Sequence, residues 1–200
     1  MTNEDPLRTG APPRIGDLLR SAAAQATPLV RGIADDSLGA PTPCAEYDVR
    51  ALLNHLLGVV VHFQALAAKQ SADLSASTDW LADADWRDRF EAETGKLVEA
   101  WSAPGAEEGT TGGMALPART VGSMVLLDLT VHVWDLARAT GRSYTPDPVV
   151  VDGLVDEVER MAPMARKMGV FGDAVELPGG TTAFERLLAT TGRDPRAWEA

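Results

Sequence analysis

Between residues 49 and 69 the chain carries Leu52, Leu56, Val59, Val60, Phe63 and Leu66, an apolar side chain every three or four positions. At about 100° per residue these fall on one broad arc, and an α-helix is the element that gathers them onto one face. The same spacing holds Ile15, Leu18, Leu19 and Ala22, then Leu29, Val30 and Ile33, in residues 14–34. It returns with Phe90, Leu97 and Val98 in residues 84–101, through residues 119–140, and with Val150, Leu154, Val158, Met161 and Ala165 in residues 147–168. A short helix is expected over 183–190. No stretch alternates with period two, and no unit repeats. The expected fold is therefore all-α: a four-helix bundle with short extra helices, in which sites are built from inward side chains on adjacent helices.

Punctuation sets the expected boundaries. Residues 1–13 read as a flexible leader and 14–200 as a single helical bundle domain. Asp48 can cap the second helix, Pro148 suits the first turn of the fifth, and Gly141 suits the position after the fourth. Pro28 is expected to break the first helix, and Pro163 to kink the fifth or end it early. The polar stretch Ser71 to Thr78 interrupts the pattern. Ser102 to Leu116, with four glycines and only Met114 and Leu116 as large apolar residues, reads as a flexible connector. Met161, Met164 and Met168 read as core filler at helical spacing.

Composition excludes several classes of function. The chain of 200 residues is 45% apolar, enough for a core without disulfides. It carries 29 acidic against 18 basic residues, a formal charge of -11, and its longest basic run is Arg166-Lys167. Such a surface repels nucleic acid and anionic membranes. Cys44 stands alone, so no intramolecular disulfide forms and a reducing, cytoplasmic setting is expected. The N-terminus has no basic segment followed by an apolar one, as a secretion signal would. The most apolar stretch, Ala51 to Ala68, is shorter than the ~20 residues a bilayer needs. It is also interrupted by Asn54, His55, His62 and Gln64, and is expected to be a buried helix.

The segment Leu127-Asp-Leu-Thr-Val-His-Val-Trp-Asp-Leu-Ala-Arg-Ala-Thr-Gly141 concentrates the chemistry. Asp128 and His132 stack one turn apart, and Asp135 follows on the same face beside Val125, Leu136 and Ala139. Burying these polar groups among aliphatic ones without compensation is costly, and a metal ion or a mutual hydrogen-bonded network is the usual resolution. A carboxylate and a His four apart can reach one divalent cation. A third ligand must come from elsewhere; the other histidines, His55 and His62, lie on the second helix about 10 Å apart along the axis, so at most one of them is a candidate for the same ion. Two imidazoles and a carboxylate leave coordination positions open and suit zinc first, with nickel, iron or manganese as alternatives. Asp135 is a candidate weak ligand, an acceptor for an imidazole N–H, or a partner for Arg138. Arg138 is a candidate for an anionic substrate group or for an ordinary ion pair. His62 reads as a hydrogen-bonded or partly exposed histidine, Cys44 as part of a packed Pro-rich turn, and Trp134 as packing or an interface. No nucleophile-elbow or paired-cysteine motif occurs.

Two motifs carry a family resemblance. Pro41-Thr-Pro-Cys-Ala-Glu-Tyr-Asp-Val-Arg-Ala-Leu-Leu-Asn-His55 resembles the opening of the second helix in actinobacterial DinB-like proteins related to the N-terminal domain of mycothiol-dependent maleylpyruvate isomerase, with Tyr47 where the family usually has Trp. Asp128 to Gly141 is similar to the second family motif, in which a carboxylate and a His four later share a metal; the isomerase has Glu where this chain has Asp128. Leu187-Leu-Ala-Thr-Thr-Gly-Arg-Asp-Pro195 is similar to the ending of small family members. The resemblance implies a DinB-like four-helix bundle with His55, Asp128 and His132 as metal ligands. It also implies mycothiol as cosubstrate and transfer or isomerisation on a small electrophile. At 200 residues the chain is too short for the isomerase's separate C-terminal domain, so that exact activity is not expected to carry over. A metal-binding or stress-response domain without turnover is the alternative. The apolar face left by four helices allows a homodimer.

Overall fold

The apolar stripes become helices whose ends lie within two or three residues of the sequence signals. The structure, a computed structural model, describes residues 12–72, 78–113 and 115–198. Six α-helices are present among them: α1 (Ile15–Arg31), α2 (Val49–Ala67), α3 (Trp86–Ser102), α4 (Ala118–Ala139), α5 (Pro148–Lys167) and α6 (Ala183–Thr190). A 3-10 turn at Asp35–Ser37 follows α1, and a two-stranded antiparallel hairpin, β1 (Thr110–Thr111) and β2 (Leu116–Pro117), precedes α4. Most of the expected leader, the middle of the Ser71 to Thr78 stretch and Met114 lie outside the described residues.

Helix α1 packs on α3 and α4, and α2 packs on the same two. The four therefore form a ring in the order α1, α3, α2, α4, with the consecutive helices α1 and α2 across a diagonal. Leu19, Leu52, Leu53, Leu56, Phe90, Leu97, Trp101 and Leu126 fill the middle with almost no exposure. Each large side chain so buried contributes about 1.5–3 kcal/mol before conformational entropy is counted. Helix α5 lies outside the ring against α1 and α4, and α6 packs on α5. Helices α2 and α4 are long and apolar enough to cross a bilayer by length and composition, and here both supply the bundle core.

Side chains cap the helix starts. Asp48 accepts from the Ala51 N–H at 2.7 Å, and Asp147 from the Val149 N–H at 3.0 Å. Thr182 and Glu185 form a reciprocal capping box on α6. Two helices stop in the same way, on Thr140-Gly141-Arg142 and on Thr191-Gly192-Arg193. Gly141 and Gly192 take φ of 64° and 89°, the left-handed region that a side chain resists. The Arg142 N–H then returns to the Ala137 carbonyl at 2.8 Å, and the Arg193 N–H to that of Leu188 at 2.9 Å, the Schellman closure.

Several expectations are corrected. Helix α1 runs unbroken through Pro28, which sits in its last turn and so removes only one late hydrogen bond. Helix α5 runs through Pro163 to Lys167, because Pro163 and Glu159, whose carbonyl loses its partner, both lie on the exposed side. Met161 is half-buried while Met164 and Met168 are exposed, since they lie on the outer face of a helix covered on one side only. The expected flexible connector is folded into the hairpin, where the buried Thr111 hydroxyl donates to the Leu66 carbonyl at 2.7 Å. Trp134 is core packing rather than an interface.

Candidate metal centre

The Pro41-Thr-Pro-Cys motif builds one wall of the site. Buried Thr42 donates its hydroxyl to the Tyr47 carbonyl at 2.7 Å and accepts from the Cys44 N–H at 3.2 Å. The Tyr47 N–H returns to the Cys44 carbonyl at 2.8 Å, and Pro41 bridges to Asp48. This closed turn delivers the Tyr47 ring onto His55 of α2, stacked at 5.5 Å between centroids with 22° between planes. His55 is half-buried. Its pKa lies below the ordinary histidine value: burial is the main cause, Asp128 opposes it and His132 adds to it.

Helix α4 supplies the opposite wall. The rings of His55 and His132 meet edge to face at 5.1 Å. One ligand atom each from His55, Asp128 and His132 lie within 4.8 Å of one another, so a single ion can bring them into a common shell. His132 is 12% exposed; its Nε2 lies 3.7 Å from Asp128 Oδ1. Its Nδ1 lies 3.0 Å from Oδ2 of the fully buried Asp135. A carboxylate can only accept, so the proton of that bond belongs to Nδ1, and Nε2 is the ring nitrogen turned toward Asp128. An imidazole N–H given to a carboxylate is the usual support of a metal-binding histidine. The donor set and its support therefore fit a divalent cation.

Four sequence candidates thus come together: His55, Asp128, His132 and Asp135. Arg138 does not join them; its guanidinium donates to the Trp198 carbonyl. The cation that meets Asp135 is Arg193, whose Nη2 donates to Oδ2 at 3.1 Å. Nothing in the order of residues announces that pair. The usable signal was that a carboxylate buried on α4 needs a cation, with 18 lysines and arginines to choose among. His62 lies outside the cluster and meets the Trp80 ring at 6.3 Å. Cys44 is closer to the chemistry than the packed-turn reading allowed. It forms a second group with His132 and Asp135, again with ligand atoms within 4.8 Å. Burial pushes its thiol pKa up, and Arg193 pulls it partly back. A cleft of about 600 Å³ lined by Gln25, Pro28, Leu29, Arg142 and Tyr144 among others shares no residue with either group.

Residues 19–137, which hold α2, α4 as far as Ala137 and all four clustered side chains, match the family model described as the mycothiol maleylpyruvate isomerase N-terminal domain. The chain belongs to this family. Its all-helical architecture is accordingly the DinB-like bundle. Two curated relatives, both from Mycobacterium tuberculosis, are the uncharacterized protein Rv0738 of strain H37Rv and the uncharacterized protein MT0763 of strain CDC 1551. Each is 30% identical over 175 residues, covering 84% of this chain and 91% of the relative. No solved structure matches. The family match ends before Arg138, so Arg193, which completes the buried face of the isomerase-domain cluster, is contributed from beyond the matched segment.

Proposed function

We propose that this chain is a metal-dependent enzyme that joins a low-molecular-weight thiol, mycothiol, to a small electrophile, as a transferase or an isomerase. The observation that carries the reading is the convergence of His55, Asp128 and His132 ligand atoms within 4.8 Å, in a member of the isomerase-domain family. Zinc suits two imidazoles and a carboxylate first, with nickel, iron and manganese as alternatives. A divalent ion held there supplies Lewis acidity and eases deprotonation of a bound thiol. The protein's own part is preparation. The bond from His132 Nδ1 to Asp135 turns Nε2 toward Asp128, and burial holds the His55 pKa below its ordinary value. Tyr47 fixes the His55 ring by stacking. Asp128, with its side chain 28% exposed, marks the side open to solvent and hence to a substrate. The partners belonging to this reading are small molecules in a cytoplasmic setting, with a second copy of the chain as the macromolecular candidate and neither nucleic acid nor membrane.

One observation favours a second reading, a metal-binding or stress-response domain without turnover. Cys44 lies close enough to His132 and Asp135 to fill a coordination position that a substrate needs. Elemental analysis of the protein and of His132→Ala, beside a mycothiol-consumption assay with small electrophiles, separates the cases. Near-stoichiometric metal that is lost in the variant, with thiol consumed, supports the enzyme. Metal without thiol consumption supports the binder. No metal in either protein after incubation with zinc and nickel sinks both and leaves a hydrogen-bonded polar core.

A further inference from the structure

Arg193 enters the site from far along the chain. The left-handed Gly192 ends α6 and turns the backbone so that Arg193 points at α4. Added atoms at Gly192 would fall 2.8 Å from the Gly172 Cα, so this turn is pressed against the loop after α5 and has little room to shift. The Arg193 side chain is 10% exposed and spends Nη1 on the Thr191 carbonyl at 3.0 Å, which leaves Nη2 aimed at Asp135 Oδ2 at 3.1 Å. That oxygen is the one that accepts from His132 Nδ1 at 3.0 Å. Asp135 Oδ1 and Arg193 Nε, both buried, have no hydrogen-bond partner among the described residues. The carboxylate is thus held through Oδ2 alone, by two donors from different parts of the chain. Remove one and the other loses its fixed partner.

We propose that Arg193 is a positioning residue of the cluster: by clamping Asp135 Oδ2 it keeps the His132 ring oriented with Nδ1–H on that oxygen and Nε2 turned toward Asp128 and His55. The consequence for ion binding rests on the metal reading above; the ring orientation does not. Without the guanidinium the Asp135 carboxylate can rotate about its side chain and offer His132 either oxygen or none, so the imidazole no longer has one preferred tautomer. The isomerase-domain segment carries the ligands, and the C-terminal segment carries the brace.

Nitrogen NMR of histidine-labelled, metal-free protein reads the tautomer directly, in the parent, Arg193→Lys and Arg193→Met. The parent is expected to hold His132 in the Nδ1–H form. The Met variant is expected to show both tautomers, and the Lys variant to fall between, because an ammonium restores charge without the planar fork. Cobalt titration of the same folded proteins is expected to follow that order, with a loss of roughly tenfold to a hundredfold in the Met variant, as for other partners of ligating histidines. A Met variant that is less stable but keeps the parent's His132 spectrum and cobalt affinity would overturn the proposal and leave a structural ion pair. If the Met variant does not fold, the parent and Lys spectra decide; identical ones overturn the proposal. A parent that takes up no cobalt sinks the metal reading, while the tautomer spectra still decide the role of Arg193.

Discussion

Helices α4 and α5 are alike in length, 22 and 20 residues, and unlike in almost everything else. Helix α4 is enclosed along nearly its whole circumference, by α1 and α2 in the ring and by α5 outside it. Helix α5 is covered on one side only, and its outer face shows Met164 and Met168 at 60% and 57% exposure. The polar groups differ in the same way. On α5 charged residues such as Glu159 and Arg160 face water at little cost. On α4 Asp135 has no exposure at all and must be answered by His132 and Arg193. A polar residue therefore signals chemistry only when the helix around it has no wet side to put it on.

The largest contrast should come from side-chain truncation. Leu126→Ala on α4 is expected to cost about 2–5 kcal/mol, and Met164→Ala on α5 no more than about 0.5 kcal/mol. Urea unfolding followed by circular dichroism gives both numbers, and equal costs would erase the distinction between the two helices. Small-to-large changes sharpen it. In Gly122→Ala on α4 the new methyl falls 2.8 Å from Ile15 Cγ2 and 2.9 Å from the Trp101 ring, both packed. A cost of about 1–3 kcal/mol is expected. In Gly153→Ala on α5 it meets the tip of Leu18 at 2.8 Å. Leu18 is itself buried in the core, but only its flexible tip is met, and the ~1 kcal/mol gained in helix propensity should offset part of the cost. Pro163→Ala on the wet face of α5 restores a backbone bond to Glu159 and should stabilise by about 1 kcal/mol or more. A thermal scan showing a loss instead would mean that the proline shapes the packing of α6.

The smallest effect is set by pH. His55 is held below its ordinary pKa in the folded state, mainly by burial. Between that lowered value and about 6.5 the unfolded chain binds more protons than the folded one, so stability rises with pH across this window. The contribution is full above about pH 6.5 and is lost as pH falls through the folded value. Metal-free His55→Gln protein, compared with the parent at several pH values in urea titrations, should show a shallower decline on acidification; parallel curves would mean that His55 is not desolvated.

Much of this was legible in advance because it rests on local rules. Periodicity located the helices, Asp48 capped where a cap was expected and Pro148 took the first turn of α5, and the i, i+4 and i, i+3 spacing put Asp128, His132 and Asp135 on one face of α4. What failed depends on tertiary surroundings. Pro28 was read as a break and Pro163 as a kink or an early end, but a helix continues through a proline when the bond it removes is late or exposed. The methionines follow the helical period of α5, yet period alone does not say how wide a stripe is covered. Arg193 was missed because a contact between the residues after α6 and the last turns of α4 leaves no trace in spacing. Cys44 was read as a turn residue, which it is, without any sign that the turn lies against His132.

The ring order has a kinetic consequence. Of the four bundle helices, the consecutive pair in extensive contact is α2 with α3, whereas α1 meets α3 and α4, and α2 meets α4, only after a whole helix has been passed. A local α2–α3 hairpin is cheap to close and is where folding is expected to begin; each later contact must first overcome the entropy of a long loop. The site spans α2 and α4 and is braced from beyond α6. It therefore belongs to the last interactions to form and the first to be released, and His55 and His132 should meet only once the rest of the bundle has already committed to its shape.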